Sequence, residues 1–258
     1  MIIIKTTIMK KTVFVLIFSA MLISSVQSTA QVKNIVLVHG AFADGSGWQK
    51  VYTILKRRGY NVSIVGNPNT GVEDDVAATK RVLDRQKGPV ILVGHSYGGA
   101  IITIAGNSSN VAGLVYVAAF APDEGESLGQ LLAPYPADPL NGILPPKDGF
   151  AWYDPAKYHK GFCADLPKDV ADFMYASQVP VSVSAFTYVF KDIAWKTKPS
   201  WHIVATEDHS LPADLERFMG KRAGGKVSEI KGSHVIFISH PKEVADIIEA
   251  AAKGAAIK

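Results

Sequence analysis

The sequence predicts an α/β fold, a mostly parallel, doubly wound sheet with a helical cap inserted before the last two strands. Three observations carry that reading. From Asn34 onward, short and nearly all-apolar runs alternate with segments whose apolar residues recur at helical spacing. The apolar runs lack a polar alternation, as strands covered on both faces require. Between Pro122 and Ser200 the alternation stops, in a stretch holding ten of the fourteen prolines and twelve of the twenty-four aromatic residues.

Taken in order, "NIVLVHG" is a β-branched run closed by glycine and reads as a buried strand. "SGWQKVYTILKRRGY" places Trp48, Val51, Ile54 and Leu55 on one side and ends at Gly59, so it reads as a helix. "NVSIVG" is a strand. "VEDDVAATKRVLDRQ" puts Val72, Val76, Val82 and Leu83 on one side, with acids in its first turn, and is a helix. "PVILVG" and "VAGLVYVAAF" are strands, with "SYGGAIITIAG" a helix between them. Helical pieces are expected at 167–178 and 182–190, and no strand is expected between 122 and 199. "SWHIVATED" resumes the sheet, followed by a helix at 211–222, a strand at 226–230 and a helix at 241–252 opened by Pro241.

Residues 1–30 read differently. Lys5, Lys10 and Lys11 precede the apolar "TVFVLIFSAMLISSV", and small Ser28 and Ala30 stand before Gln31. A positive start, a short apolar stretch and a small-residue exit form a secretory signal with cleavage expected after Ala30. A spanning helix needs about 20 apolar residues, and Ser19, Ser24 and Ser25 interrupt this run. Met9 opens a complete signal of its own, so Met1 and Met9 are both candidate starts. The expected organisation is a signal peptide at 1–30, a core at 31–121 and 200–258, and a cap at 122–199, in a secreted or periplasmic protein. The formal charge of +4 includes three lysines of the signal. No basic run remains to track a phosphate backbone, so nucleic acid is not an expected partner, and no membrane association is expected after cleavage. A single cysteine, Cys163, leaves neither an intrachain disulfide nor a cysteine metal site.

The chemistry concentrates where strands end. In open parallel sheets, ligands bind beyond the carboxyl ends of the strands. Ser96 stands there in Gly94-His95-Ser96-Tyr97-Gly98, the spacing of a strained strand-to-helix turn that exposes a nucleophilic hydroxyl. A serine needs a base, and the base an acid. Asp208, past the strand in "VATEDHSLP", and His234, in the loop of "EIKGSHVIFISHP", follow in the order Ser, acid, His. Glu207 competes with Asp208 for the acid's role. His39, His95, His159, His202, His209 and His240 read as packing, capping or solvated residues. Backbone N–H groups of Tyr97 and Ala41, with Phe42 as the runner-up to Ala41, are the candidate oxyanion donors. Phe42, Trp152 and Gln178 are the candidate substrate contacts.

These landmarks resemble the α/β-hydrolase superfamily over the chain from about Asn34 to its last helix, through "LVHGAFADGSGW", "GHSYGGA", "VYVAAFAPDEGES", "VATEDHSLP" and "GSHVIFISHPKEV". They are most similar to bacterial small-ester hydrolases and to the plant methylesterase and hydroxynitrile lyase group. The resemblance implies Ser96, Asp208 and His234 as a catalytic triad, esterase-type activity on a small-molecule ester without metal or cofactor, and a pocket between sheet and cap. The hydroxynitrile lyases resembled here carry a lysine immediately after the catalytic histidine, where this chain has Val235. The alternatives are a cofactor-free perhydrolase or haloperoxidase, a hydroxynitrile lyase-like enzyme, and a binding protein of the same fold.

Overall fold

A computed structural model describes residues 31–255 of the chain; the expected signal peptide at 1–30 lies outside the described residues. The elements in chain order are β1 (Asn34–Val38), α1 (Gln49–Arg57), β2 (Asn61–Val65), α2 (Val72–Leu83), β3 (Val90–His95), α3 (Tyr97–Ala105) and β4 (Val111–Val117). After them come α4 (Leu128–Leu132), β5 (Phe150–Ala151), α5 (Pro155–Phe162), α6 (Lys168–Ala176), β6 (Val181–Ser182) and α7 (Ser184–Thr187). The chain closes with β7 (Ser200–Ala205), α8 (Ala213–Arg222), β8 (Lys226–Ile230), α9 (Ile236–Ser239) and α10 (Pro241–Gly254).

Six strands form one sheet in the order β2-β1-β3-β4-β7-β8, every pair parallel. Every residue of β1, β3 and β7 is buried, which is possible only when both faces are covered. The edge strands β2 and β8 are partly exposed. Helices α1 and α10 pack together, as do α2 and α3. Arg58, just past α1, ties the first pair by reaching Asp246 at 2.6 Å and Glu249 at 3.0 Å. The chain runs from β1 outward to β2, then returns to β3 on β1's other side. The loops after β1 and β3 therefore diverge at a switch point, where a crevice forms.

Between β4 and β7 the chain leaves the sheet, and here the expectations need correction. The helix expected at 167–178 is present as α6. The one expected at 182–190 is a single turn, α7. Val181, Val183 and Val189 are stiff at χ1 and poor in a helix, and Val181–Ser182 instead pairs antiparallel with Phe150–Ala151. Two helices were not expected. α4 is closed by a reciprocal capping box between Ser127 and Gln130. α5 opens on Asp154, whose carboxylate accepts the Ala156 N–H, with Pro155 in its first turn.

The excursion is pinned where it leaves and rejoins the core. The Trp195 indole donates to the Pro122 carbonyl at 2.9 Å. Arg222 of α8 grips Glu126 through both terminal guanidinium nitrogens, at 2.6 and 2.9 Å, and donates to the Ala121 carbonyl at 3.1 Å. Trp195→Phe keeps the ring's bulk but leaves the buried Pro122 carbonyl without its donor. A loss of about 1–3 kcal/mol in unfolding free energy is expected, measurable by urea denaturation.

Candidate active site

Ser96 sits between β3 and α3 with φ 53° and ψ −123°, a backbone state that costs about 1–3 kcal/mol. The glycines around it explain how the turn closes. A Cβ on Gly94 would lie 2.5 Å from the Gly98 carbonyl oxygen, and one on Gly98 would lie 2.6 Å from that of His39. A Cβ on Gly40 would meet the Ser96 Cβ at 2.7 Å. The Ser96 carbonyl accepts from Gly99 N–H at 2.9 Å and Phe120 N–H at 3.2 Å, which fixes the turn.

His234 enters from the loop between β8 and α9, and Asp208 from the loop after β7. His234 Nδ1 lies 2.5 Å from Asp208 Oδ2, and its Nε2 lies 2.8 Å from Ser96 Oγ. An ionised carboxylate only accepts, so Nδ1 carries the proton and Nε2 is free to take the serine's. The other oxygen of Asp208 accepts the N–H groups of Ser210 and Leu211, at 2.7 and 2.8 Å. Glu207 is exposed and faces Lys231 at 3.4 Å, away from the histidine.

Neighbouring groups hold the His234 loop. His95 donates from Nε2 to the His234 carbonyl at 2.9 Å, and its burial pushes its pKa well below the ordinary value, leaving it neutral. Asp165, after α5, accepts from the Ser233 N–H at 3.0 Å, from the Ser233 hydroxyl at 2.5 Å and from the Ser239 hydroxyl at 2.8 Å. The Phe162 ring meets the His234 ring edge to face, centroids 5.0 Å apart.

Ala41 and Tyr97 line the small cavity beside Ser96, and neither of their N–H groups has an acceptor among the described residues. The Phe42 N–H is taken by the Val179 carbonyl at 2.9 Å. The Phe42 carbonyl accepts from the Tyr158 hydroxyl at 2.7 Å, which ties the loop to the excursion a second time. The Tyr97 hydroxyl donates to Asp75 at 2.7 Å, and Asp75 also accepts the Asn69 N–H at 2.8 Å. Burial raises the Asp75 pKa to about 6.

Two expected substrate contacts fall elsewhere. Trp152 is 44% exposed and is absent from the cavity wall. Gln178 accepts the Tyr153 N–H at 3.0 Å and donates to the Tyr175 carbonyl at 3.2 Å, a structural tie within the excursion. Phe42 does line the cavity. So do Tyr153, Phe162 and Phe186. Asp75 was readable as unusual, because it lies on the buried stripe of α2 with Val72, Val76 and Thr79.

The remaining histidines are accounted for. His39 accepts the Asn67 N–H at 2.9 Å, and His202 stacks on Tyr116 with centroids 4.5 Å apart. His209 pairs with Asp138 at 2.8 Å. His159 bonds the Leu166 carbonyl at 2.8 Å, and His240 lies 3.7 Å from Glu243. Among the described residues, no group of three or more His, Cys, Asp or Glu side chains is arranged to hold a metal ion.

The chain resembles known proteins over nearly all of its described length. It is 26% identical to salicylic acid-binding protein 2 of Nicotiana tabacum, over 86% of this chain and 98% of that one. It is 27% identical to a pyrethroid hydrolase of Sphingobium wenxiniae, over 84% and 86%. The crystal structure of a pyrethroid hydrolase from Sphingobium faniae superposes with a TM-score of 0.72 at 25% identity, over 85% of this chain and 97% of that one. Residues 35–247 match the alpha/beta hydrolase family as a whole. With that match spanning most of the chain, the protein belongs to the alpha/beta hydrolase family.

Proposed function

We propose that this protein is a serine carboxylic ester hydrolase that works through an acyl-enzyme on Ser96. The observation that carries the reading is the buried hydrogen-bonded chain from Asp208 through His234 to Ser96, at 2.5 and 2.8 Å. The relatives support the reaction class, being named for pyrethroid hydrolysis in Sphingobium and as a methylesterase in Arabidopsis thaliana. In this scheme His234 Nε2 takes the Ser96 proton as Oγ attacks the ester carbonyl. The N–H groups of Ala41 and Tyr97 receive the oxyanion. His234 returns the proton to the departing alcohol, then draws one from water to release the acid. Asp208 stays ionised, keeping the proton on Nδ1 and stabilising the imidazolium. The scheme uses no cofactor. Cleavage after Ala30 and action outside the cytoplasm belong to the same proposal.

The walls set the substrate. The cavity at Ser96 measures about 40 Å³, room for a small group only. Phe42, Phe120, Leu128, Phe162 and Phe186 make it apolar. It shares Leu132, Ile143 and Ser210 with a much wider cleft of about 860 Å³. We read the substrate as an uncharged ester with one small group in the inner cavity and its bulk in the cleft.

Ser96→Ala is expected to abolish fluorophosphonate labelling and to lower kcat by about 10⁴-fold or more, with the protein still folded by circular dichroism. Full esterase activity in that variant would remove the assignment. Phe186→Ala enlarges the inner cavity. The ratio of kcat/KM for p-nitrophenyl butyrate over acetate should then rise by about tenfold, whereas an unchanged ratio would place the acyl group elsewhere.

A further inference from the structure

Behind Asp208 lies a carboxyl group that this reaction scheme does not use. Glu216, in the first half of α8, is 3% exposed. Its Oε2 accepts the N–H of Ala205, the last residue of β7, at 3.2 Å. Its Oε1 is buried and receives no donor. Asp208 stands three residues past Ala205 in the chain, and its carboxyl is the acidic group that acts most strongly on Glu216. Two ionised carboxylates that face each other out of water repel strongly, and such a pair keeps one proton between them.

The donors decide which partner keeps it. Asp208 receives the Ser210 N–H, the Leu211 N–H and His234 Nδ1–H. Glu216 receives one N–H. The better-solvated group ionises, so the proton stays on Glu216. A carboxylate has about four acceptor positions; with three filled, Asp208 retains one. An O–H on Glu216 fills that position and gives the otherwise unpartnered oxygen a bond.

We propose that Glu216 is a neutral carboxylic acid that donates its proton in a hydrogen bond to Asp208, making it a positioning residue for the Asp208–His234 pair. Burial, and then the charge of Asp208, push the Glu216 pKa well above the ordinary carboxylate range. The charged groups around it are few. Asp208 and, through it, His234 face the carboxyl from the loops after β7 and β8. From its own helix comes Arg217, whose guanidinium is engaged by Asp214 and Glu229 at 2.8 Å each. The role rests on Asp208 orienting His234, as set out above.

The test compares Glu216→Gln with Glu216→Leu in the full mature chain. The glutamine amide donates without ionising; leucine fills similar space and cannot donate. The Gln variant should keep kcat within about threefold of wild type, and the Leu variant should lose about tenfold or more in kcat with little change in KM. Equal kcat in the two folded variants, whether both high or both low, overturns the proposal. Melting temperature against pH supplies a readout that needs neither turnover nor a folded Leu variant. A carboxyl whose pKa rises on folding binds more protons when folded, so its stabilising effect is complete below the ordinary carboxylate value. It is lost as pH rises through the raised one. The Gln variant should therefore gain on wild type in melting temperature as pH rises. A difference that stays flat, or that favours wild type at higher pH, overturns the proposal. Fluorophosphonate labelling of wild type reports on Ser96 separately, so a failed serine mechanism and a failed role for Glu216 give different results.

Discussion

Everything at this site depends on a turn too tight for side chains. Ser96 can project its hydroxyl beyond the sheet only because backbone passes against backbone at Gly94 and Gly98, within 2.6 Å of where Cβ atoms would stand. The sheet makes that crowding possible: Val38 pairs with Gly94, and Gly94 with Tyr116, so three buried strands end side by side. A parallel sheet covered on both faces cannot relax at that point, and the strain at Ser96 is held by the cohesion of the core. The helix behind the serine starts at once, and Tyr97 at its first position lines the cavity.

The second constraint is the number of ties between the excursion and the loops of the sheet. The Phe42 N–H and carbonyl are both engaged by the excursion, through Val179 and the Tyr158 hydroxyl. Asp165 holds the residue just before His234. The loop after β1 and the loop that carries His234 are each held from outside the sheet as well. Their geometry is completed by a segment remote in sequence, and that segment also supplies the apolar wall.

The core and its loops were legible because their signals are local. A buried parallel strand is an apolar run, a cramped turn needs glycines, and the loops that matter follow the strands in a known order. Ser96, Asp208 and His234 could be located by those rules without any knowledge of contacts. The excursion obeys no such rule. Trp152 and Tyr153 are adjacent, and in extended backbone adjacent side chains point to opposite sides. Tyr153 is 1% exposed and lines the cavity while Trp152 is 44% exposed. Composition marks both as aromatic and cannot say which one turns inward. Gln178 was misread for a similar reason, since a polar residue near a pocket looks the same whether it meets a ligand or the backbone of Tyr153. The helix α5, by contrast, carried readable caps in Asp154 and Pro155 that the aromatic content of the region obscured.

The grip of Asp165 on Ser233 and Ser239 has a consequence for how substrate gets in. Any movement lifting the α5 end of the excursion away from the sheet must break two hydrogen bonds to Ser233, beside His234, and one to Ser239 at the end of α9. It would loosen the segment that sets His234 between Asp208 and Ser96. The wide cleft already adjoins the inner cavity at Leu132, Ile143 and Ser210, so the cavity communicates with it without that movement. Opening toward the cleft and the hold on the His234 loop are thereby separate, and the one does not require the other to give way.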